Sequence, residues 1–404
     1  MIQITRLPEE VKRFLEPLRA WFSYRHFLVF CWLIAAHLVC FEKATCKALG
    51  RYTPKHIGWW HLRRLLACGR WPWEEVLYWL VTQCFSAFPP PADGVLYLVV
   101  DSTLKGKRTK KNPLVKKGRL NEHAPFTWGL HVVLLIAQWD SYRIPLDFRL
   151  VKTKKCKDYR SENTLFREML EAFVPPPWCK AVIVVADAAY ASRDNLRAIQ
   201  AHGWFFVIAF PRTWKLANGQ HLRDIVTHLP RHHYRQVRVP ALVSTHRHRF
   251  FWTFVKSAHL RHIGDVTVLL SRRRRNDGPK QTKLLVTNLP LASAHLIVMT
   301  YLRRWPVEIC FKELKSGLGL GQAQVTKDPA RGERSVAVTL MAYLVLLRLQ
   351  ATHIKPGTAW SIFALKHRFA WEIGAQQIKR ATQQQTLKEI KKIEARRLNT
   401  SFNL

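Results

Sequence analysis

The sequence predicts a mixed α/β fold preceded by an all-helical region, and two observations carry that prediction. Residues 1–90 show amphipathic helical patterns separated by short Pro and Gly breaks, with little of the two-residue alternation typical of strands. After the segment FPPPADG (88–94), apolar and β-branched runs begin to alternate with helical patterns. We therefore predict a helical N-terminal domain, a linker, and a core in which helices pack against a sheet.

The core elements follow one another in the order β-β-β-α-β-α-β. The predicted elements are strands at 94–103, 126–137 and 143–151, a helix at 161–173, a strand at 181–190, a helix at 192–203 and a strand at 204–210. A very basic loop, 105–119, joins the first two strands. Short alternating runs between 211 and 289 indicate a β-rich insertion, and the helical pattern returns afterwards.

Four regions result from this reading. They are a helical DNA-binding domain at 1–90, a split core at 94–210 and 290–350, the insertion at 211–289, and a basic helical tail at 351–404. The DNA-binding expectation for the first region comes from basic residues interleaved with Trp59 and Trp60, although Trp in a small helical domain is more often a core residue.

The charge of the chain indicates a polyanionic partner. The formal net charge is +38, and the basic residues are spread over the whole length of 404 residues. Such a field favours nucleic acid, because phosphate neutralisation releases counterions. The eight cysteines form no CxxC pair and no disulfide-like spacing, which indicates reduced core residues in a cytoplasmic protein without structural zinc. The apolar run 27–41 is shorter than a membrane span and contains His37, so we expect a buried helix and no membrane contact.

Two acids follow hydrophobic runs in the same way. Asp101 ends LVVD and Asp187 ends VVAD, in a chain that has few acids. A carboxylate at the end of a buried strand is costly unless it is paired or binds a metal. Each acid alone is also explained as a cap of the loop that follows. The two together, with a third acid nearby, indicate a site for two Mg²⁺ ions, which bind carboxylates and substrate phosphates.

The third acid is Glu308, in the segment YLRRWPVEICFKELK (301–315). At about 100° per residue, Tyr301, Arg304, Glu308, Lys312 and Lys315 share one helical stripe roughly 80° wide, whereas Glu313 falls on another face. A single acid among bases is typical of a solvated salt-bridge ladder or of a surface that holds phosphates around a metal. Pro306 interrupts the stripe, so the helix either kinks there or begins near Trp305.

These residues resemble a known family. Asp101, Asp187 and Glu308, set on this order of elements, look like the Asp-Asp-Glu triad of bacterial insertion-sequence transposases with a ribonuclease H-like core. Tyr301, Arg304, Glu308 and Lys315 are similar to the Tyr-Arg-Glu-Lys signature of the insertion-sequence-four type, in which a β-rich insertion also separates the second Asp from the Glu. The resemblance covers about residues 94–350.

The resemblance implies a DNA transposase of a mobile element, acting in the bacterial cytoplasm at the nucleoid. Such an enzyme would bind the terminal inverted repeats as a homodimer, cut at the element's ends and join the 3′ ends to target DNA by cut-and-paste. Asp101, Asp187 and Glu308 would be the catalytic residues and hold two Mg²⁺ ions, with Mn²⁺ as a substitute. Tyr301, Arg304 and Lys315 would bind DNA, and the stripe adds Lys312.

Hairpin formation, which is common in this branch, would require an aromatic platform for an unstacked base, and Trp252 and Trp214 are the candidates. The basic loop 105–119 and Arg272–Arg275 are expected to contact DNA backbone. Two other readings stay open at this point. One is a ribonuclease H-like nuclease without strand transfer, and the other is a catalytically silent DNA-binding protein derived from a transposase.

Overall fold

A computed structural model of the protein describes residues 4, 6–107, 112–119, 124–241, 244–322 and 329–401. Within these ranges the helices are α1 Glu9–Leu15, α2 Tyr24–Val39, α3 Cys46–Leu49, α4 Trp59–Cys68, α5 Trp73–Ala87, α6 Glu162–Ala172, α7 Arg193–Ala201, α8 Leu222–His228, α9 Ala294–Leu302, α10 Trp305–Lys312, α11 Pro329–Leu349 and α12 Ile362–Ser401. The strands are β1 Val95–Gly106, β2 Val115–Gly118, β3 Thr127–Trp139, β4 Tyr142–Leu150, β5 Ala181–Ala186, β6 Phe205–Ala209, β7 Arg235–Ala241, β8 Ser244–Leu260, β9 Gly264–Arg272 and β10 Lys283–Thr287.

The predicted mixed α/β class and the helical N-terminal region are confirmed. The core strands lie in the order β4-β3-β1-β5-β6, with β3 antiparallel to β1 and with β1, β5 and β6 parallel to one another. With α6 and α7 these strands give the predicted succession, and the short β2 is added beside β3. Part of the predicted basic loop, residues 108–111, lies outside the described residues.

Local sequence explains where several elements begin and turn. Ser161, Ser192 and Ser293 cap helices α6, α7 and α9, because each side chain accepts a hydrogen bond from a backbone N–H of the first turn. Strands β3 and β4 are joined by Asp140 and Ser141 alone, and Asp140 adopts a left-handed conformation with φ 43°. Aspartate tolerates that conformation well, so it suits a two-residue hairpin turn.

The strands of the predicted insertion extend the core sheet. Strand β10 pairs with β6, and β9, β8 and β7 follow outward in that order. The described residues therefore form one ten-stranded sheet from β2 to β7. The domain boundaries given above stay predictions.

Helix α11 joins the N-terminal helices to the sheet. Fourteen of its 21 residues are buried, and it packs against α2, α4, α5, α12 and β4. Helix α2, from the apolar run, is buried along most of its length. In the part of the chain that the structure describes, no helix is both long enough and apolar enough to cross a membrane.

The cysteines do not share one environment. All eight are free, and Cys31, Cys40, Cys84 and Cys310 are buried. Cys68 is exposed, so the expectation of buried cysteines fails at that position.

Candidate active site

Asp101 lies inside β1 rather than at its end. The strand continues five residues further, to Gly106, and Asp101 pairs with Leu134 of β3. The prediction of a strand-end acid is wrong in this detail. What ends near Asp101 is the pairing with β5, which runs only from Val95 to Val99. Beyond that point one edge of β1 is open, and the carboxylate, with a side chain 17% exposed, reaches a cleft.

Asp187 follows β5 directly and caps the short turn that comes next. Its Oδ1 accepts a hydrogen bond of 2.8 Å from the backbone N–H of Ala189. In the parallel pair β1 and β5, Val99 is level with Val185. Asp101 and Asp187 each come two residues after this last pair. Because neighbouring strands are about 4.8 Å apart, the two carboxylates leave the sheet side by side.

Burial and this neighbouring acid change the protonation of Asp101. Desolvation disfavours its ionised form, and the negative charge of Asp187 adds to the effect, so the pKa of Asp101 rises to about 6. Arg304 and the backbone N–H of Ser102 act in the opposite direction and are outweighed. A buried carboxylate with a raised pKa beside a second carboxylate is typical of a site that binds an added positive charge.

Glu308 comes from helix α10, which packs against β1. The proline in the signature is in the first turn of α10, where its missing N–H costs no helical hydrogen bond. The helix therefore begins at Trp305, Arg304 is its N-cap residue, and Tyr301 belongs to the last turn of α9. The single stripe is divided between two helices, but all five of its residues line the same cleft.

Arg304 connects two of the acids. Its Nη1 donates a hydrogen bond of 3.1 Å to Asp101 Oδ2, and its Nη2 donates to Glu308 Oε1. Burial opposes the charge of Arg304, but Tyr301, Asp101 and Glu308 outweigh that effect and raise its pKa. The guanidinium thus supplies positive charge between the strand and the helix of the site.

Lys315 approaches β1 from the turn after α10. Residues Glu313–Gly317 form a π-helical turn, and Lys315 Nζ donates to Thr103 Oγ1 and to the carbonyl of Leu104 at 3.4 Å. Burial and then the charge of Lys105 lower the pKa of Lys315. Two basic groups, Arg304 and Lys315, therefore flank Asp101 on the face of β1 that meets α10.

The cleft has a volume of about 580 Å³. Seven of the residues singled out from the sequence line it: Asp101, Asp187, Tyr301, Arg304, Glu308, Lys312 and Lys315. Four lining residues were missed by the sequence reasoning: Ser102, Thr103, Lys283 and Phe311. Ser102 and Thr103 directly follow Asp101 and were within reach of sequence reasoning. Lys283 begins β10, and no local pattern connects it with the acids.

Trp252 is not among the residues that line the cleft. It lies on β8 opposite Arg272, and the guanidinium of Arg275 is 5.2 Å from its ring centroid. Trp214 packs against Phe210, with ring centroids 4.8 Å apart. A stacking role for either Trp stays a prediction.

Arg272 does not fit its predicted role as a surface residue that contacts the DNA backbone. It is 3% exposed, donates to Thr282 Oγ1 at 2.8 Å and lies 4.0 Å from the Tyr234 ring centroid. Arg273, Arg274 and Arg275 are exposed.

A polar cluster supports the acids from the opposite face of β1. Glu162, at the start of α6, lies 3.3 Å from His131 Nε2 and 3.5 Å from Lys116 Nζ. Burial opposes the ionisation of Glu162, but His131, Ser102 and Lys116 outweigh it and lower the pKa of Glu162 to about 2. Because Ser102 follows Asp101 with its side chain on the other face, this cluster braces the strand that carries the first acid.

A buried carboxylate anchors the helix that carries Glu308. Glu313 is 1% exposed and accepts hydrogen bonds from Arg143 Nη2 at 2.8 Å, Tyr343 Oη at 2.9 Å and the backbone N–H of Ile362 at 2.8 Å. The guanidinium of Arg143 also lies 3.7 Å from the Trp360 ring centroid. Glu313 thereby joins the π-helical turn to β4, α11 and the first turn of α12.

The donor set fits hard divalent cations, which prefer carboxylate oxygens. Asp101, Asp187 and Glu308 line one cleft, and the first two each come two residues after the last paired residues of β1 and β5. As the side chains stand, no group of three His, Cys, Asp or Glu residues within the described ranges is close enough to hold a metal ion. Arg304 bridges Asp101 and Glu308 instead.

Comparison with known proteins identifies a family for this chain. The family model for the transposase DDE domain matches residues 100–345, which is more than half of the chain, and the match includes all three acids. The chain belongs to the transposase DDE domain family.

Among solved structures, seven chains are similar to this one. One of them is in the cryo-EM structure of a piggyBac transposase synaptic complex with hairpin DNA, with a TM-score of 0.42 and 9% sequence identity. The similarity covers 75% of this chain and 56% of that one, so this chain matches little more than half of that transposase. A likeness at this TM-score supports no conclusion about the site. No curated protein matches the chain.

Proposed function

We propose that the protein is the transposase of a bacterial insertion sequence of the insertion-sequence-four type. It would cut the terminal inverted repeats of its own element and join the freed 3′ ends to target DNA. The observation that carries this proposal is the cleft in which Asp101, Asp187 and Glu308 meet four cationic side chains. Membership of the transposase DDE domain family supports it.

Asp101, Asp187 and Glu308 would hold two Mg²⁺ ions, for which Mn²⁺ would substitute. Such ions neutralise the charge of the phosphate under attack and of the leaving oxygen, and they lower the pKa of a water nucleophile. The raised pKa of Asp101 agrees with this assignment, because it reflects a buried carboxylate next to the negative charge of Asp187. Arg304 would have to release at least one of its two carboxylates for all three acids to serve together.

The side chains around the acids have separate tasks in this scheme. Lys312 and Lys315 would bind phosphates on either side of the cut, and their positive charge would attract the DNA strand to the cleft. Arg304, once freed from Glu308, has a planar fork that suits two oxygens of one phosphate. Tyr301 is 9% exposed and would pack beside the DNA strand.

The proposed reaction has two phosphoryl transfers. In the first, a water oxygen attacks the phosphate at the element's end, the bond from phosphorus to the 3′ oxygen breaks, and a 3′-hydroxyl leaves. In the second, that 3′-hydroxyl attacks a target phosphate and a target 3′-hydroxyl leaves, so one phosphodiester replaces another. Both attacks use the same three carboxylates.

The rest of the chain would bind DNA and a second copy of itself. A net charge of +38 suits a protein that holds two element ends and a target duplex as a homodimer in the bacterial cytoplasm. In the N-terminal region, Trp59 and Trp60 are 46% and 53% exposed, and Arg63 lies 5.7 Å from the Trp60 ring centroid. Exposed aromatic and basic side chains together suit contact with DNA.

The test uses end-labelled DNA that flanks the gene. Purified protein with Mg²⁺ or Mn²⁺ and a second duplex is expected to cut at the element's ends and to join them to that duplex, whereas Asp101→Asn and Glu308→Gln are expected to do neither. Asp265→Asn is the matched control, because its carboxylate is 96% exposed and does not line the cleft. Cutting without any joining would indicate a ribonuclease H-like nuclease without strand transfer. Specific binding without cutting under either metal would indicate a catalytically silent DNA-binding protein.

A further inference from the structure

Lys283 brings a positive charge to the cleft from a part of the chain remote from the signature. It is the first residue of β10, and its amine lies 3.3 Å from Tyr301 Oη and 4.8 Å from the centroid of the Tyr301 ring. Tyr301 belongs to the last turn of α9, directly before the helix that carries Glu308. A lysine on the extension of the sheet is therefore fixed to the aromatic residue of the signature.

The amine of Lys283 differs from its cationic neighbours in what it contacts. Arg304 is engaged by two carboxylates, and Lys315 donates to oxygens of β1. Within the described ranges no carboxylate forms an ion pair with Lys283, and its amine contacts the hydroxyl and the ring of Tyr301. An ammonium group has three donors, so at least two remain for an anionic ligand.

The position of β10 in the sheet sets the distance from the acids. The strands lie in the order β1-β5-β6-β10, and neighbouring strands are about 4.8 Å apart. Lys283 therefore starts roughly 10 Å across the sheet from β5, which precedes Asp187, and roughly 14 Å from β1, which carries Asp101. One strand of B-form DNA rises about 3.4 Å per nucleotide, so distances of about 10 and 14 Å correspond to about three and four nucleotides.

We infer that Lys283 binds a DNA backbone phosphate three or four nucleotides from the bond that is cut, with Tyr301 orienting the amine. This inference rests on the proposed function, because it takes the scissile phosphate to lie at Asp101 and Asp187. It adds a phosphate contact beyond the signature residues, and the contact comes from the strand that joins the outer part of the sheet to the core. In this role Lys283 fixes the direction in which the DNA strand leaves the cleft.

The experiment measures binding of DNA ends in which one phosphate at a time is a neutral methylphosphonate. Binding is measured in EDTA, so that cutting does not interfere. For the wild-type protein, one substitution three or four nucleotides from the cut is expected to weaken binding about tenfold, as for a lost charge-assisted hydrogen bond. For Lys283→Gln, the same methylphosphonate is expected to cause no further loss, because the amine that reads the charge is gone.

Two further variants make the result specific. Lys283→Arg keeps the positive charge and is expected to restore sensitivity at that phosphate. Lys280→Gln removes an exposed lysine three residues earlier that does not line the cleft, and it is expected to keep the wild-type profile. If Lys283→Gln keeps the wild-type profile at every phosphate, Lys283 does not bind one and the inference is overturned.

Cleavage of unmodified DNA by the wild-type protein is measured in parallel. A protein that binds but does not cut contradicts the proposed function, and the methylphosphonate profiles still decide whether Lys283 contacts a phosphate. A protein that cuts while Lys283→Gln shows the wild-type profile contradicts this inference alone.

Discussion

Glu313→Gln tests whether the buried carboxylate holds the helix of the site in place. The substitution keeps the size of the side chain but removes the charge that faces Arg143, whose side chain is 8% exposed. Three hydrogen bonds of 2.8–2.9 Å end on the carboxylate, from β4, α11 and the start of α12. Removing one partner of a buried ion pair leaves the other charge unpaired, which costs about 3–5 kcal/mol.

The assay is equilibrium unfolding in urea, followed by tryptophan fluorescence. Trp360 stacks on Arg143 and reports on the same network. Glu313→Gln is expected to lower the free energy of unfolding by about 3–5 kcal/mol. Glu171→Gln is the control, because Glu171 is 82% exposed and its contact with His202 is a surface pair worth less than about 1 kcal/mol.

A double variant separates the unpaired charge from general damage to the fold. Glu313→Leu combined with Arg143→Met removes both charges, and replacing a buried ion pair by apolar residues is often close to neutral. It is expected to be more stable than Glu313→Gln. A loss below about 1 kcal/mol for Glu313→Gln would refute the reasoning, because it would mean that the buried arginine does not depend on this carboxylate.

Three other predictions concern the site. Burial and Asp187 raise the pKa of Asp101 to about 6, from 3.8, so the folded state binds this proton more tightly than the unfolded state does. The free energy of unfolding therefore falls as pH rises from 3.8 to about 6. In urea unfolding at pH 7, Asp101→Asn is expected to be more stable than wild type by at most about 3 kcal/mol. The pKa of Glu162 is lowered to about 2, from 4.5, so the ionised Glu162 stabilises the fold above pH 4.5 and this stabilisation is lost towards pH 2. Between pH 5 and 3, Glu162→Gln is expected to lose less stability than wild type. Lys315→Gln and Lys312→Gln are each expected to reduce the slope of log binding constant against log salt by about 0.9, measured by fluorescence anisotropy, and an unchanged slope would mean that the lysine contacts no phosphate.

The order of the core elements could be predicted because each has a strong local pattern. Strand β5 is a continuous β-branched run, and α6 follows a serine cap. Pro306 limited the ways in which the signature could fold, and the structure has α10 beginning at Trp305. The same local patterns single out Asp101 and Asp187, each at the end of an apolar run.

What the sequence did not predict depends on contacts between distant residues. The apolar run stops at Asp101 and so predicts the end of a strand there, but β1 continues through pairing with β3, which no local pattern shows. The helical pattern shows only that Glu313 lies off the stripe, and its burial depends on Arg143, 170 positions away. Lys283 reaches the cleft because β10 pairs with β6, a contact that joins the outer strands to the core.

Strand transfer from precut ends tests the central claim most directly. DNA ends with a free 3′-hydroxyl are incubated with a target plasmid, Mg²⁺ and the wild-type protein, or with Asp101→Asn, Asp187→Asn, Glu308→Gln or the control Asp265→Asn, and the junctions are sequenced. The account predicts that wild type and Asp265→Asn join the 3′ ends to the target and that the other three variants do not. Joining by any of those three at the wild-type rate would contradict the claim that these carboxylates form the active site.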